Sequence, residues 1–321
     1  MKERLLRRLS PFAGLLLFGV ALWMLHGQLR EHQLSEIVRE LRALPRSRVA
    51  ASLALTALNY ALLTAYECLA FRSIRHPLPY RKISLASFIG YALSNNVGFA
   101  TLSGGSIRYR LYSSWRLSAN EIMTVITFVT LTFWLGFLAL SGAVFLLEPV
   151  AVPQSLHLPF PSVRPLGALF VVLVVGYLIA SARRHALLTI RGRPIRLPSI
   201  RMAVAQVALS ALNFTLAGTA LYVLLPSSVS VSYSGVLGMY LLAMVGGMVS
   251  QVPGGLGVFE TVMLVLLAGE ARAAALLGSL LAYRAIYYFL PLLVATMLFG
   301  VFEVWHRRGA VKRLRRVVTD G

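Results

Sequence analysis

Five charged side chains sit inside otherwise apolar stretches of this chain. Glu67 lies in Tyr66-Glu67-Cys68-Leu69, and Arg108 and Arg110 follow Gly104-Gly105. Glu260 ends Pro253-Gly254-Gly255-Leu256-Gly257-Val258-Phe259-Glu260, and Arg284 lies in Tyr283-Arg284-Ala285-Ile286-Tyr287-Tyr288. A charge held away from water is costly unless it is paired or hydrated, so each is a functional candidate. Their chemistry would be electrostatic: an arginine holds a phosphate, an acid holds an ammonium, and a set of both holds the two ends of a zwitterionic headgroup. Bond-breaking chemistry is not expected. No nucleophile stands near Glu67 or Glu260 in a recognisable arrangement, and no Walker A motif is present. The six histidines are scattered, and no HExxH motif or Cys/His cluster occurs. Neither a catalytic residue nor a metal or other cofactor is therefore expected, and the lone Cys68 excludes a disulfide framework.

The elements that must carry these charges come in two copies. Thr56-Ala57-Leu58-Asn59-Tyr60-Ala61-Leu62 returns as Ser210-Ala211-Leu212-Asn213-Phe214-Thr215-Leu216, and Leu102-Ser103-Gly104-Gly105 returns as Val252-Pro253-Gly254-Gly255. Duplications of this kind in apolar chains build many membrane transporters. The stretches 83–118 and 234–272 are apolar but interrupted, the first by Asn95, Asn96, Gly98, Gly104 and Gly105, the second by Gly246, Gly247, Pro253, Gly254, Gly255 and Gly257. Neither should form one straight helix. A broken helix leaves backbone groups unpaired that hydrocarbon does not tolerate, so its tip must line a cavity or a substrate. Asn95, Asn96 and Gln251 stand beside these tips, where polar groups replace hydration. Glycine pairs also permit tight helix packing, and Asn59 and Asn213 fit interhelical hydrogen bonds better than substrate contacts. With the glycines aligned, Arg110 corresponds to Glu260, opposite charges suited to pairing across a pseudo-symmetry centre.

With 58% hydrophobic and 13% charged residues and a mean hydropathy of +0.74, the chain carries more apolar surface than a soluble protein of its length could bury. Apolar spans run over about 11–29, 48–71, 119–147, 166–182, 202–225 and 274–303, each near the ~20 residues a helix needs to cross a bilayer. The first follows Lys2, Arg4, Arg7 and Arg8 but has no small-residue cleavage site, which identifies a retained span rather than a signal peptide. The net charge of +20 comes from loop residues beside the spans and reads as cytoplasmic bias and headgroup attraction rather than as a nucleic-acid surface. Lys and Arg number four in 72–82, three in 103–118, six in 183–201 and six in 305–321, against one in 148–165 and none in 226–234. This puts both termini in the cytoplasm. The stretch 83–118 then enters from the cytoplasm and returns to it, 234–272 does the same from outside, and the two halves are inverted. Residues 30–48 fall outside despite five arginines, with an amphipathic pattern that reads as an interfacial helix.

The expected fold is thus an all-α polytopic membrane protein, a single membrane domain over 1–321. It has inverted repeats at 10–147 and 164–303, about six full transmembrane helices, two opposed re-entrant hairpins and a basic cytoplasmic tail at 304–321.

The Pro253–Glu260 string, with Gly104-Gly105-Ser106-Ile107-Arg108-Tyr109-Arg110-Leu111-Tyr112, Tyr66-Glu67 and Tyr283-Arg284, resembles the membrane flippase domain of the lysylphosphatidylglycerol flippase/synthetases, the multiple peptide resistance factors, over residues 10–303. Where the family often has Asp, this chain has Glu67. The resemblance implies a bacterial inner-membrane protein that moves lysyl- or alanyl-phosphatidylglycerol from the inner to the outer leaflet. Surface negative charge falls, and binding of cationic antimicrobial peptides weakens. It implies Glu67, Arg110 and Glu260 as charges on the translocation path with Arg284 as a partner, Arg108 or Arg110 holding the phosphate and Glu260 or Glu67 the lysyl ammonium. The chain ends at Gly321 without the aminoacyl-tRNA-dependent transferase, so it is not expected to be the synthetase by itself. The expected partners are an anionic or aminoacylated phospholipid and a separately encoded lipid synthetase, with a homodimer compatible. The alternatives are a carrier of another anionic lipid or small ion, and a non-transporting partner of a lipid synthase.

Overall fold

A computed structural model describes residues 34–96, 100–148, 162–183, 187–190, 193–196, 198–250 and 252–319. The expected span at 11–29 and Gln251 lie outside the described residues. The helices are α1 (Leu34–Ala43), α2 (Arg46–Ile74), α3 (Tyr80–Asn96), α4 (Ala100–Ser114), α5 (Ala119–Leu147), α6 (Arg164–Ala182), α7 (Ile200–Tyr222), α8 (Tyr233–Ser250), α9 (Val258–Leu266), α10 (Ala273–Tyr283) and α11 (Leu290–Thr319). A 3-10 turn (Pro253–Gly255) joins α8 to α9, and a π turn (Arg284–Phe289) joins α10 to α11 without a break. A short antiparallel hairpin, β1 (Leu187–Ile190) with β2 (Arg193–Arg196), connects α6 to α7. Among the described residues, six helices are long and apolar enough to cross a membrane: α2, α5, α6, α7, α8 and the continuous run Ala273–His306. By length and composition α8 thus qualifies, although its stretch reads as interrupted in sequence.

Local chemistry sets the boundaries. Ser118 starts α5 with a capping box: its hydroxyl accepts from the Glu121 N–H, and Glu121 Oε2 accepts from the Ser118 N–H at 2.8 Å. Gly254, Gly255 and Gly257 take φ of 60°, 61° and 82°, which stops the second helix pair between α8 and α9, because only glycine holds this backbone without strain. Gly104 and Gly105 do not play the equivalent part. They lie inside α4, and a Cβ on Gly104 would stand 1.8 Å from Ser94 Oγ. In the first half the glycine lets α3 and α4 close on each other; in the second it makes the break.

Contacts sort the loops into two ends. At one, Glu148 accepts hydrogen bonds from Ser232 and Ser234, Glu270 accepts from Ser230, Arg272 pairs with Glu40, and Arg48 donates to the Leu225 carbonyl. At the other, His76 meets Glu121 and Lys82 lies over the Trp115 ring. The pair α3/α4 therefore begins and ends at one end of the bundle, and α8/α9 begins and ends at the opposite one. The N-terminal end of α2 lies against the C-terminal end of α7, with Ser52 Oγ donating to the Ala220 carbonyl at 2.8 Å, so these two helices run antiparallel. Helix α1 is no free surface helix. Ile37 is buried, and a Cβ on Gly278 of α10 would come 3.1 Å from Glu40 Cβ.

Two cores result. One gathers α2, α3, α4, the start of α5 (Ile122, Val125) and the start of α11 (Leu292, Ala295, Phe299). The other gathers the end of α5 (Phe137, Phe145), α7, α8, α9, α10 and the π turn. The last helix of each half thus crosses into the core of the other. Where α5 crosses α7 the backbones nearly touch: a Cβ on Gly136 would stand 2.1 Å from Ser210 Cβ, whereas Gly176 of α6 has nothing within 4 Å. We expect Gly136→Val to destabilise the protein by about 1–3 kcal/mol through overpacking and Gly176→Ala to leave the melting midpoint in detergent unchanged.

The serine hydroxyls hold the carboxyls of Glu148 and Glu270 below the ordinary value of 4.5, with the Ser230 N–H adding to the effect on Glu270. A depressed folded value contributes stability above the unfolded pKa and loses it as pH falls through the folded one. Limited proteolysis of the 226–232 loop should therefore stay constant at neutral pH and rise below about pH 4. In Glu270→Gln this rise should be smaller.

Candidate functional site

Each helix pair carries one fully buried ion pair on its second arm. In the first, Arg108 of α4 donates through Nε to Glu67 Oε1 of α2 at 2.5 Å. Tyr112, one turn further along α4, donates to Glu67 Oε2 at 2.8 Å. The guanidinium stacks over the Tyr91 ring of α3, 4.4 Å from its centroid. Glu67 is 0% and Arg108 4% exposed, so the acid does not reach out to the nearby loop but is enclosed by three helices. Arg108 Nη1 approaches Gly90 and Gly104, the two glycines that make room for the guanidinium.

In the second pair the signs are exchanged. Glu260 of α9 accepts from Arg284 Nε at 2.5 Å and from the Gly257 N–H at 2.8 Å. Arg284 Nη1 donates to the Gly254 carbonyl at 2.6 Å and Nη2 to the Gly255 carbonyl at 3.2 Å. One guanidinium thus satisfies the acid and two carbonyls of the break together. Its plane lies over Tyr288 at 4.5 Å and Phe259 at 5.3 Å. Arg284 meets Glu260 and not Glu67. Arg110 does not pair with Glu260 across the centre. It reaches Glu303 of α11 at 2.9 Å and keeps a side chain 40% exposed.

The helix pairs meet at their ends. A Cβ on Gly254 would stand 3.4 Å from the carbonyl oxygens of both Asn95 and Asn96, the last residues of α3. Asn96 donates back to the Ala92 carbonyl at 2.8 Å and across to the Tyr288 carbonyl at 3.3 Å. Beside this contact opens a cavity of about 130 Å³, lined among others by Asn95, Phe133, Met248, Gly254, Gly255 and Tyr288. Of the sequence-derived candidates, Asn95, Gly254 and Gly255 line it. Glu67, Arg108, Arg110, Glu260, Arg284, Gly104, Gly105, Asn96 and Pro253 do not line it. Sequence reasoning missed Tyr112, which lies at i+4 from Arg108 and so on its face, and Glu303, an acid at the end of the last apolar span. It also missed Phe133 and Tyr288, whose rings carry no distinguishing signal in an aromatic-rich span. Asn59 donates to Tyr287 Oη, the interhelical use expected of it.

A helical bundle with six membrane-length helices among the described residues, and Arg–Glu pairs buried inside it, defines a multi-pass membrane protein. Its residues 12–295 match the model of the lysylphosphatidylglycerol synthase TM region, and the chain belongs to that family. It is 41% identical over 307 residues to slr0712, an uncharacterised protein of Synechocystis sp., covering 94% of this chain and 95% of that one. It is 33% identical to the inner membrane protein YbhN of Escherichia coli over 84% of each chain. To the phosphatidylglycerol lysyltransferase of Staphylococcus haemolyticus it is 26% identical over 75% of this chain, which corresponds to 28% of that larger protein. The family and its lysyltransferase members connect the chain to membrane lipid.

Removing one partner of a buried pair leaves the other charge stranded, at about 3–5 kcal/mol, whereas replacing both with apolar side chains is close to neutral. We expect Glu67→Met to lower the melting midpoint strongly and the Glu67→Met/Arg108→Met double variant to recover most of the loss, as read by a double-mutant cycle in detergent.

Proposed function

We propose that this chain is a lipid flippase that carries aminoacylated phosphatidylglycerol, lysyl or alanyl, from the inner to the outer leaflet of a bacterial inner membrane. Surface negative charge is thereby lowered, and resistance to cationic antimicrobial peptides follows. One observation carries the reading: two helix pairs, entering from opposite ends and each holding a buried Arg–Glu pair of reversed order, meet break to helix end at a central cavity. Opposed re-entrant hairpins in inverted repeats are the architecture in which substrates bind at mid-membrane and are exposed alternately to each side. The antiparallel α2 and α7, and the exchange of α5 and α11 between cores, support that symmetry. The cytoplasmic placement of the His76–Glu121 end follows from its loop charge.

At about 130 Å³ the cavity holds only part of a headgroup, so the hairpins must part to admit a lipid. The same small volume favours the second reading, a carrier of a small ion. In this reading the lipid is made by a separately encoded synthetase. The test is exposure of lysylphosphatidylglycerol to an impermeant amine-reactive probe, in cells supplied with a synthetase and either the intact chain or the Glu67→Met/Arg108→Met variant. Exposure only with the intact chain supports the flippase and places that pair in its working cycle. Equal exposure with an inserted chain and with none counts against lipid transport.

A further inference from the structure

The cavity between the helix pairs has an electrostatic sign. It lies at the carboxyl end of α3, which stops at Asn96, and of α8, which stops at Ser250. The last carbonyls of a helix have no donor within it, and the aligned peptide dipoles leave about half a negative charge there. Asn95 on one side and Gly247 and Met248 on the other bring both ends to the cavity wall, where Ser250 Oγ donates to the Gly247 carbonyl at 2.9 Å. The carbonyl oxygens of Asn95 and Asn96 face the same point beside Gly254. The rest of the wall is mostly apolar, with Ala243, Met244 and Val252, and carries three rings, Phe133, Phe259 and Tyr288, whose faces attract cations. Arg284 already lies over Phe259 and Tyr288 with its charge matched by Glu260. Phe133, among the described residues, carries no cation of the protein's own.

The charged groups are engaged elsewhere. Glu67 faces Arg108, Glu260 faces Arg284 and Glu303 faces Arg110, and none of the six lines the cavity. A phosphate placed there would meet carbonyl oxygens and ring faces with no cationic donor. An ammonium would meet complementary groups on each side.

We infer that this cavity is an ammonium subsite, which takes the amine end of an aminoacylated headgroup through helix-end carbonyls and the Phe133 face and not through a carboxylate. The inference rests on the flippase reading above and moves the amine away from Glu260 and Glu67. A bare alkali cation shares the charge, but the room and the aromatic wall suit an organic ammonium.

The test uses the full chain in detergent and measures binding of short-chain lysylphosphatidylglycerol and of short-chain phosphatidylglycerol, with sodium or tetramethylammonium chloride as competitor at equal ionic strength. Phe133→Leu should weaken binding of the lysyl lipid about tenfold and leave binding of the unmodified lipid unchanged. Asn95→Asp, which adds a negative charge at the wall, should tighten it, and this second variant decides the matter if the first does not fold. Tetramethylammonium should displace the lysyl lipid and sodium should not. If the lysyl lipid binds the intact chain but neither variant alters it, the ammonium sits elsewhere: the subsite is overturned while the lipid reading stands. Displacement by sodium alone overturns it in favour of a bare ion. If neither lipid binds folded protein, the flippase reading falls and the subsite with it.

Discussion

Arg284 is the interaction on which the second half is built. Three left-handed glycines in four residues leave a chain that has no helical ladder to satisfy its carbonyls, and hydrocarbon offers no water to do so. The Arg284 guanidinium takes up the carbonyls of Gly254 and Gly255 and neutralises Glu260, which in turn receives the first N–H of the new helix. Break, helix start and charge balance are therefore one network, and none of its parts is stable without the others. The π turn begins at Arg284, and such turns concentrate at functional positions because they reset the register of the side chains that follow. Here the residues set after Arg284 are Tyr287 and Tyr288, which carry the contacts to Asn59 and to the cavity.

The first half solves a related problem by packing. Glycines at Gly90 and Gly104 bring α3 and α4 close enough to enclose a guanidinium, and Glu67, Tyr112 and the Tyr91 ring complete its surroundings. Both halves thus bury one acid with one base at the second arm of a short helix pair. They differ in which partner the arm supplies and in what the glycines are for.

Much of this was legible in the sequence for physical reasons. Apolar runs of membrane length are a one-dimensional signal, and the basic loops 72–82 and 103–118 lie at the end that His76 and Lys82 tie together, whereas 30–48, with five arginines, lies at the end of Glu148 and Glu270. The duplicated Asn59 and Asn213 stretches fall on α2 and α7, the two helices that run antiparallel. The pairing of the charges was not legible, because partners such as Glu67 and Arg108, or Arg110 and Glu303, are brought together by helix crossing angles that no local pattern encodes. The matched glycines misled for a similar reason: Gly104 and Gly254 align in sequence, but whether a glycine breaks a helix or permits its close packing depends on the neighbour that arrives. For the same reason the amphipathic 34–43 segment reads as an interfacial helix, whereas Ile37 is buried and Leu41 packs against the second core.

The exchange of α5 and α11 between the two cores has a consequence for biogenesis. The chain is synthesised from its N-terminus, so the first core, with Arg110 already in place, must wait in the membrane until α11 delivers Leu292, Phe299 and Glu303. Neither half can be sealed before α11 has been made, and the order of synthesis makes that helix the closing stave of the first half. A chain truncated before α11 leaves behind an open bundle in which Arg110 lacks Glu303.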